Sequence, residues 1–283
     1  MKNLVNKFAF LLIALVQLTA CEKEIKINIP ASKEELVVEA SINQLSPTLN
    51  YVVLSKTMDY FNPSLSLLAV RNARVFITEG EIIGNDTIYN TSKQTQFFDL
   101  LDTIFPGIYV NPFFTGKIEK PYRLDVELQD GRKITAKTFI PKPVVFDSIH
   151  YWFEKSGNDT NAYFYLQWPD GPEQNNYRMV LKEGFIPFLT GWGYGDRFYS
   201  FDDALINNKP RPFLMLNPFR YGDTVNIYLS QIGRQEYIFW DSFRNAANNG
   251  GPFATPVSVK SNVTGAIGSF TGYGLTQEQL ILR

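Results

Sequence analysis

The sequence predicts a mainly β protein built as two β-sandwich domains, the first immunoglobulin-like or transthyretin-like, the second β-rich with one packed helix. Three observations predict it. Short β-branched and aromatic runs recur along the chain, split by Pro, Gly, Asn and Asp. One run, Tyr122 to Ile140, alternates strictly between apolar and polar residues. Only one later segment carries apolar residues at helical spacing.

The strands follow in order. Glu35–Asn43 and Leu49–Thr57 are β-branched runs of strand length, separated by "QLSP", and Ala73–Gly80 is another. Tyr122, Leu124, Val126 and Leu128 alternate with Arg123, Asp125, Glu127 and Gln129, so one face is buried and one is wet. Asp130-Gly131 supplies a tight hairpin turn, and Ile134, Ala136, Thr138 and Ile140 return along the partner strand. "IPKPVV" (140–145) carries two prolines and suits an extended connector, which places a domain boundary between 142 and 143. The first domain is expected over 34–142 and the second over 143–283.

Beyond the connector, "FDSIHYWFE", "AYFYLQWPD", "NYRMVLKE" and "DTVNIYLSQI" are strand-like. Between Gln235 and Asn248, Phe239, Trp240, Phe243, Ala246 and Ala247 fall on one helical face, and the Asn-Asn-Gly-Gly-Pro run from 248 is a strong stop. "AIGSFTGYG" and "EQLILR" are expected as the last two strands.

The amino terminus reads as a secretory signal over 1–20. Lys2 and Lys7 are followed by an apolar Phe8–Val16 core, too short to span a bilayer as a mature helix. Leu18-Thr19-Ala20-Cys21 resembles a bacterial lipobox, in which the cysteine is lipidated and becomes the first mature residue. Cys21 is the chain's single cysteine, so a disulfide has no partner. An ordinary signal peptide with a chance cysteine is the alternative. Residues 21–33 then form a lipidated tether, and Glu22, Lys23 and Glu24 resemble a charged sorting tag for the outer membrane or cell surface.

Composition narrows the function. The net charge is −1, which favours neither nucleic acid nor an anionic membrane surface. Aromatics make up 15% and charged residues 19%, as expected for a folded chain with a large core. His150 is the single histidine, set in an alternating strand, so a histidine-based triad has one candidate and a zinc site lacks ligands. "GWGYGDRF" (191–198) lacks the spacing of a nucleotide loop. Asp202-Asp203 reads as a solvated turn rather than a calcium site. No cofactor and no catalytic residue is selected. Aromatics crowd the Gly- and Pro-interrupted stretch from Phe185 to Tyr221. Most of these rings are expected to fill the core. Trp192, Tyr194, Phe198 and Tyr199 are the candidates for contact with a ligand or partner, with Trp192 and Tyr194 the most exposed.

Several stretches carry a family resemblance: Cys21-Glu22-Lys23-Glu24-Ile25, "ELVVEASI", "IPKPVVFDSI", "QEYIFWDSF" and "NNGGPFATPVSVKSNVTGAIGSFTGYG", with Pro252–Pro256 and Ser261-Asn262-Val263 in the tail. Together they resemble the Bacteroidota lipoprotein family catalogued as domain of unknown function 4249, over essentially the whole chain. The resemblance implies an outer-membrane lipoprotein encoded beside TonB-dependent receptors, with no catalytic residues to carry over. The expected function is a non-enzymatic accessory or ligand-binding partner of such a transporter. Its ligand would be a small nutrient, a peptide or a glycan. A structural or adhesive surface module is the alternative, followed by a hydrolase with dispersed carboxylates.

Overall fold

A computed structural model describes residues 34–57, 68–101, 106–156, 159–184, 197–204, 211–217, 219–249 and 257–283. Residues Glu34–Arg283 form one compact unit. The protein is mainly β; among the described residues there are fifteen strands and one α-helix.

The first part contains β1 (Leu36–Asn43), β2 (Tyr51–Lys56), β3 (Arg74–Ile83), β4 (Asp86–Asp99), β5 (Ile108–Val110), β6 (Lys120–Glu127) and β7 (Lys133–Ile140). The alternation from Tyr122 to Ile140 folds as expected. Tyr122, Leu124, Val126, Ile134, Ala136 and Ile140 are buried. Leu128 N–H donates to Arg132 O at 2.9 Å and closes the hairpin around Asp130-Gly131. β4 escaped the sequence reading because it is mostly exposed and polar. Pairing holds it instead: Thr95 and Phe97 lie opposite Ile77 and Val75 of β3, while Phe98 lies opposite Val110 of β5. One long strand thus serves two neighbours, and the apolar faces of β1, β2, β3, β5, β6 and β7 close on a single core.

The second part contains β8 (Ser148–Ser156), β9 (Asp159–Trp168), β10 (Asn176–Glu183), β11 (Arg197–Asp202), β12 (Arg211–Asn217) and β13 (Thr224–Ile232). A small sheet in the order β12-β9-β8 stands apart from the long one. The inward residues of β8 and β9 meet Tyr177, Met179 and Leu181 of β10 and Val225, Ile227 and Leu229 of β13 in a second core. The opposite face of β10 and β13 presents Val180, Tyr228 and Ile232 to the helix α1 (Arg234–Asn248). The helix fills the span expected from Gln235 to Asn248. Phe239 and Trp240 are its buried rings, and Phe243 packs beside them.

The last strands depart from expectation. β14 (Val263–Thr264) is a short edge on β7. The two expected terminal strands are one continuous strand, β15 (Ile267–Ile281). Its first half, from Ile267 to Tyr273, runs parallel to β1. Its second half, from Gly274, runs antiparallel to β13. Two sets of partners on one strand removed the need for a break. The boundary placed between 142 and 143 falls between the first two cores in sequence, yet β15 enters both: Phe270 lies in the first and Leu280 packs on the second. The Ile140–Val145 connector crosses β15 where it changes partner. A Cβ at Gly274 would stand 2.5 Å from Pro141 O and 2.8 Å from Lys142 O, so that crossing requires glycine.

Candidate functional site

Cys21, Glu22, Lys23 and Glu24 lie outside the described residues, as do Trp192 and Tyr194. Phe198 and Tyr199 are half-buried on β11 and point to opposite faces. Phe198, opposite Val180, packs on the helix-side core; Tyr199, opposite Met179, packs on the core under the small sheet. Both rings are engaged in packing. Asp202 pairs with Arg234 at 2.9 Å, and both oxygens of Asp203 accept from Asn175 N–H at 2.8 and 2.9 Å. Those adjacent acids tie down neighbouring chain segments. Among the described residues, no group of three His, Cys, Asp or Glu is placed to hold a metal.

Phe198 leads to a polar cluster where β10, β1, β15 and α1 meet. Alternation on β10 sends Arg178 and Lys182 to the helix side, and both are buried. The Arg178 guanidinium lies 3.4 Å from the centre of the Trp240 ring and 5.6 Å from that of Phe198, a cation held between aromatic faces. Trp240 Nε1–H donates to Thr271 Oγ1 at 3.1 Å. Tyr51 OH donates to Glu39 Oε1 at 2.9 Å. Burial raises the Glu39 carboxyl above its ordinary range, offset by the Tyr51 hydrogen bond and by Arg178 and Lys182. Burial pushes the Tyr273 hydroxyl up to about 12.

Glu236 sits in the first turn of α1 and is buried. It accepts from Thr138 Oγ1 at 2.6 Å, and the same hydroxyl accepts from Gly272 N–H at 2.8 Å. This chain of bonds fastens the helix to β7 and β15. Burial raises the Glu236 carboxyl above its ordinary 4.5. The folded state therefore holds the proton more tightly than the unfolded chain. Its stabilising contribution is complete below pH 4.5 and is lost as pH rises through the higher folded value. Glu236→Gln is expected to flatten the fall in stability above pH 4.5, measured by denaturant midpoints between roughly pH 4 and 8. An unchanged slope would contradict the buried-acid assignment.

The tail motif has a structural task. Asn262 Oδ1 accepts from Phe270 N–H and its Nδ2 donates to Phe270 O, both at 2.9 Å. Ser261 Oγ donates to Gly268 O at 2.8 Å and accepts from Gly268 N–H at 3.1 Å. The two side chains stand in for a strand along β15. Beside them is an open cleft of about 600 Å³ that includes Arg123, Asp125, Lys137 and Gln235. Arg123 Nε is bonded to Asp125 at 2.8 Å, and its guanidinium lies 5.1 Å from the centre of the Tyr89 ring.

Sequence reasoning missed the outward face of β8 and β9. There Trp152 lies opposite Tyr163, and His150 lies opposite Tyr165. The Trp152 and Tyr163 rings stack at 5.5 Å and 13°, and the His150 and Tyr165 rings are 6.3 Å apart. The signal was present: once Ile149, Tyr151 and Phe153 face the core, the intervening His150, Trp152 and Glu154 must face out. His150 is exposed there.

These features define a β-sandwich-like protein whose single described α-helix is locked to the sheet by buried polar bonds. The chain belongs to the family described as Domain of unknown function (DUF4249), whose profile matches residues 22–279. No curated protein matches. Among solved structures, the chain is similar to the crystal structure of a DUF3823 family protein from Bacteroides uniformis ATCC 8492, with a TM-score of 0.26 and 9% identity, over 89% of this chain and 100% of that one.

Proposed function

We propose that the protein is a lipoprotein of the outer membrane, anchored at Cys21, that serves a TonB-dependent transporter as a non-enzymatic accessory or ligand-binding partner. One observation carries the reading. The apolar run ending in Leu18-Thr19-Ala20-Cys21 precedes in sequence a compact unit that begins at Glu34, the order of an anchor followed by a body. The long β3–β4 hairpin supports docking on another protein. Ile82, Ile83 and Ile88 near its turn are more than half exposed, where a solvated hairpin would carry polar residues.

Purification of the tagged protein from native membranes in mild detergent tests the reading. A TonB-dependent transporter is expected to be recovered with it, and replacing the three isoleucines by threonine is expected to reduce that recovery severalfold. Recovery of the lipoprotein alone would overturn the partnership.

A further inference from the structure

The outward faces of two antiparallel strand pairs in this protein differ in kind. On β6 and β7, Arg123 lies opposite Lys137, Asp125 opposite Thr135 and Glu127 opposite Lys133. That is the ordinary charged surface of a sheet with one wet side. On β8 and β9 the equivalent positions hold His150, Trp152, Tyr163 and Tyr165. The core below is already filled by Tyr151, Phe153, Phe164 and Leu166 from the opposite face. The outer rings therefore add nothing to that core. Trp152 keeps 38% of its surface accessible, Tyr163 and Tyr165 are half-buried, and His150 is exposed.

Polar groups rim these rings. Trp152 Nε1–H donates to Glu154 Oε1 at 2.8 Å, and Tyr165 OH donates to Gln167 Oε1 at 3.4 Å. A pyranose has the matching character: an apolar face of C–H groups and an edge of hydroxyls. Aromatic rings offer large, rigid, amphipathic contact area for the first, and carboxylate, amide and imidazole groups meet the second. The Glu154 carboxylate beside Trp152 repels anions, which disfavours nucleic acid and acidic glycans. The site is a sheet surface rather than an enclosed pocket, so it suits an extended chain of sugars over a single one.

We propose that the outer face of β8 and β9 binds a neutral oligosaccharide, with pyranose rings laid against the free outer faces of the mutually stacked Trp152 and Tyr163 rings and hydroxyls met by Glu154, His150 and Gln167. This goes beyond the transporter reading and does not depend on it.

Affinity electrophoresis of the full chain tests the proposal, in gels cast with xyloglucan, mixed-linkage β-glucan, galactomannan, arabinoxylan or starch. At least one polysaccharide is expected to retard the protein. Trp152→Ala and Tyr163→Ala are each expected to weaken binding roughly tenfold, and Trp152→Phe, which keeps a ring, to weaken it less. Phe113→Ala removes a ring that is 93% exposed elsewhere and is expected to change nothing. Unchanged thermal midpoints would establish that the variants fold. Retardation by none of the five, or retardation indifferent to Trp152→Ala and Tyr163→Ala, would overturn the proposal. If those variants instead lost a co-purifying membrane protein while no polysaccharide bound, the face would be a protein-docking surface and the glycan proposal would fail.

Discussion

Gly268→Ala is expected to destabilise the protein by at least about 4 kcal/mol and to lower its thermal midpoint by roughly 10 °C. Gly268 adopts φ +144°, and a Cβ there would stand 1.7 Å from Val38 O. That oxygen belongs to the neighbouring β1 backbone, which cannot swing aside as a flexible side chain would. Val38 is the register partner of Gly268 in the parallel β1–β15 pair, so relief requires the two strands to part. Ser261 would lose its two bonds to the Gly268 backbone with them. Gly84→Ala supplies the control. It also has positive φ, +62°, but open space around it, and should cost only about 1 kcal/mol. Denaturant unfolding of both variants makes the comparison. Equal, small losses would contradict the β1–β15 register.

Cys21→Ser is expected to abolish lipid attachment at the amino terminus. A serine hydroxyl does not replace the thiol that accepts the diacylglyceryl group. One acyl chain holds a protein weakly, and two or more hold it firmly, so loss of all the chains removes the anchor rather than weakening it. The variant should remain an unprocessed precursor without lipid label. The body beginning at Glu34 lies well beyond the substitution, so its thermal midpoint should stay within about 1 °C of the parent. Normal labelling and processing of the variant would contradict the anchor.

The sequence was most legible where one face of an element is wet. Tyr122 to Ile140 announced its pairing by alternation, and α1 by the spacing of Phe239, Trp240 and Phe243. β10 was recognisable as a strand, but both of its faces are buried, so its sequence did not indicate which residues face which core. The parallel pairing of β1 with β15 was hidden because it joins segments from opposite ends of the chain. The same pairing explains why Ile267–Ile281 is one strand where local residues suggested two. β4 was hidden because its polar run lacks alternation, and its order comes from β3 and β5.

The site was less legible for a related reason. Aromatic content drew attention to Phe198 and Tyr199, whose rings the fold spends on packing. The rings on the outer face of β8 and β9 occur in equally apolar runs, and only strand pairing separates Trp152 and Tyr163 from Tyr151 and Phe164. Nothing in the sequence singled out Glu236, whose buried carboxylate is met by Thr138, far away in sequence.

Attachment at Cys21 is the claim on which the proposed role rests, and the mass of the native mature amino terminus tests it most directly. The protein purified from its own membranes should yield an amino-terminal peptide that starts at Cys21 and carries the mass of three acyl chains with their glyceryl link. A peptide that starts at Met1, or one cleaved near Ala20 with an unmodified Cys21, would contradict it.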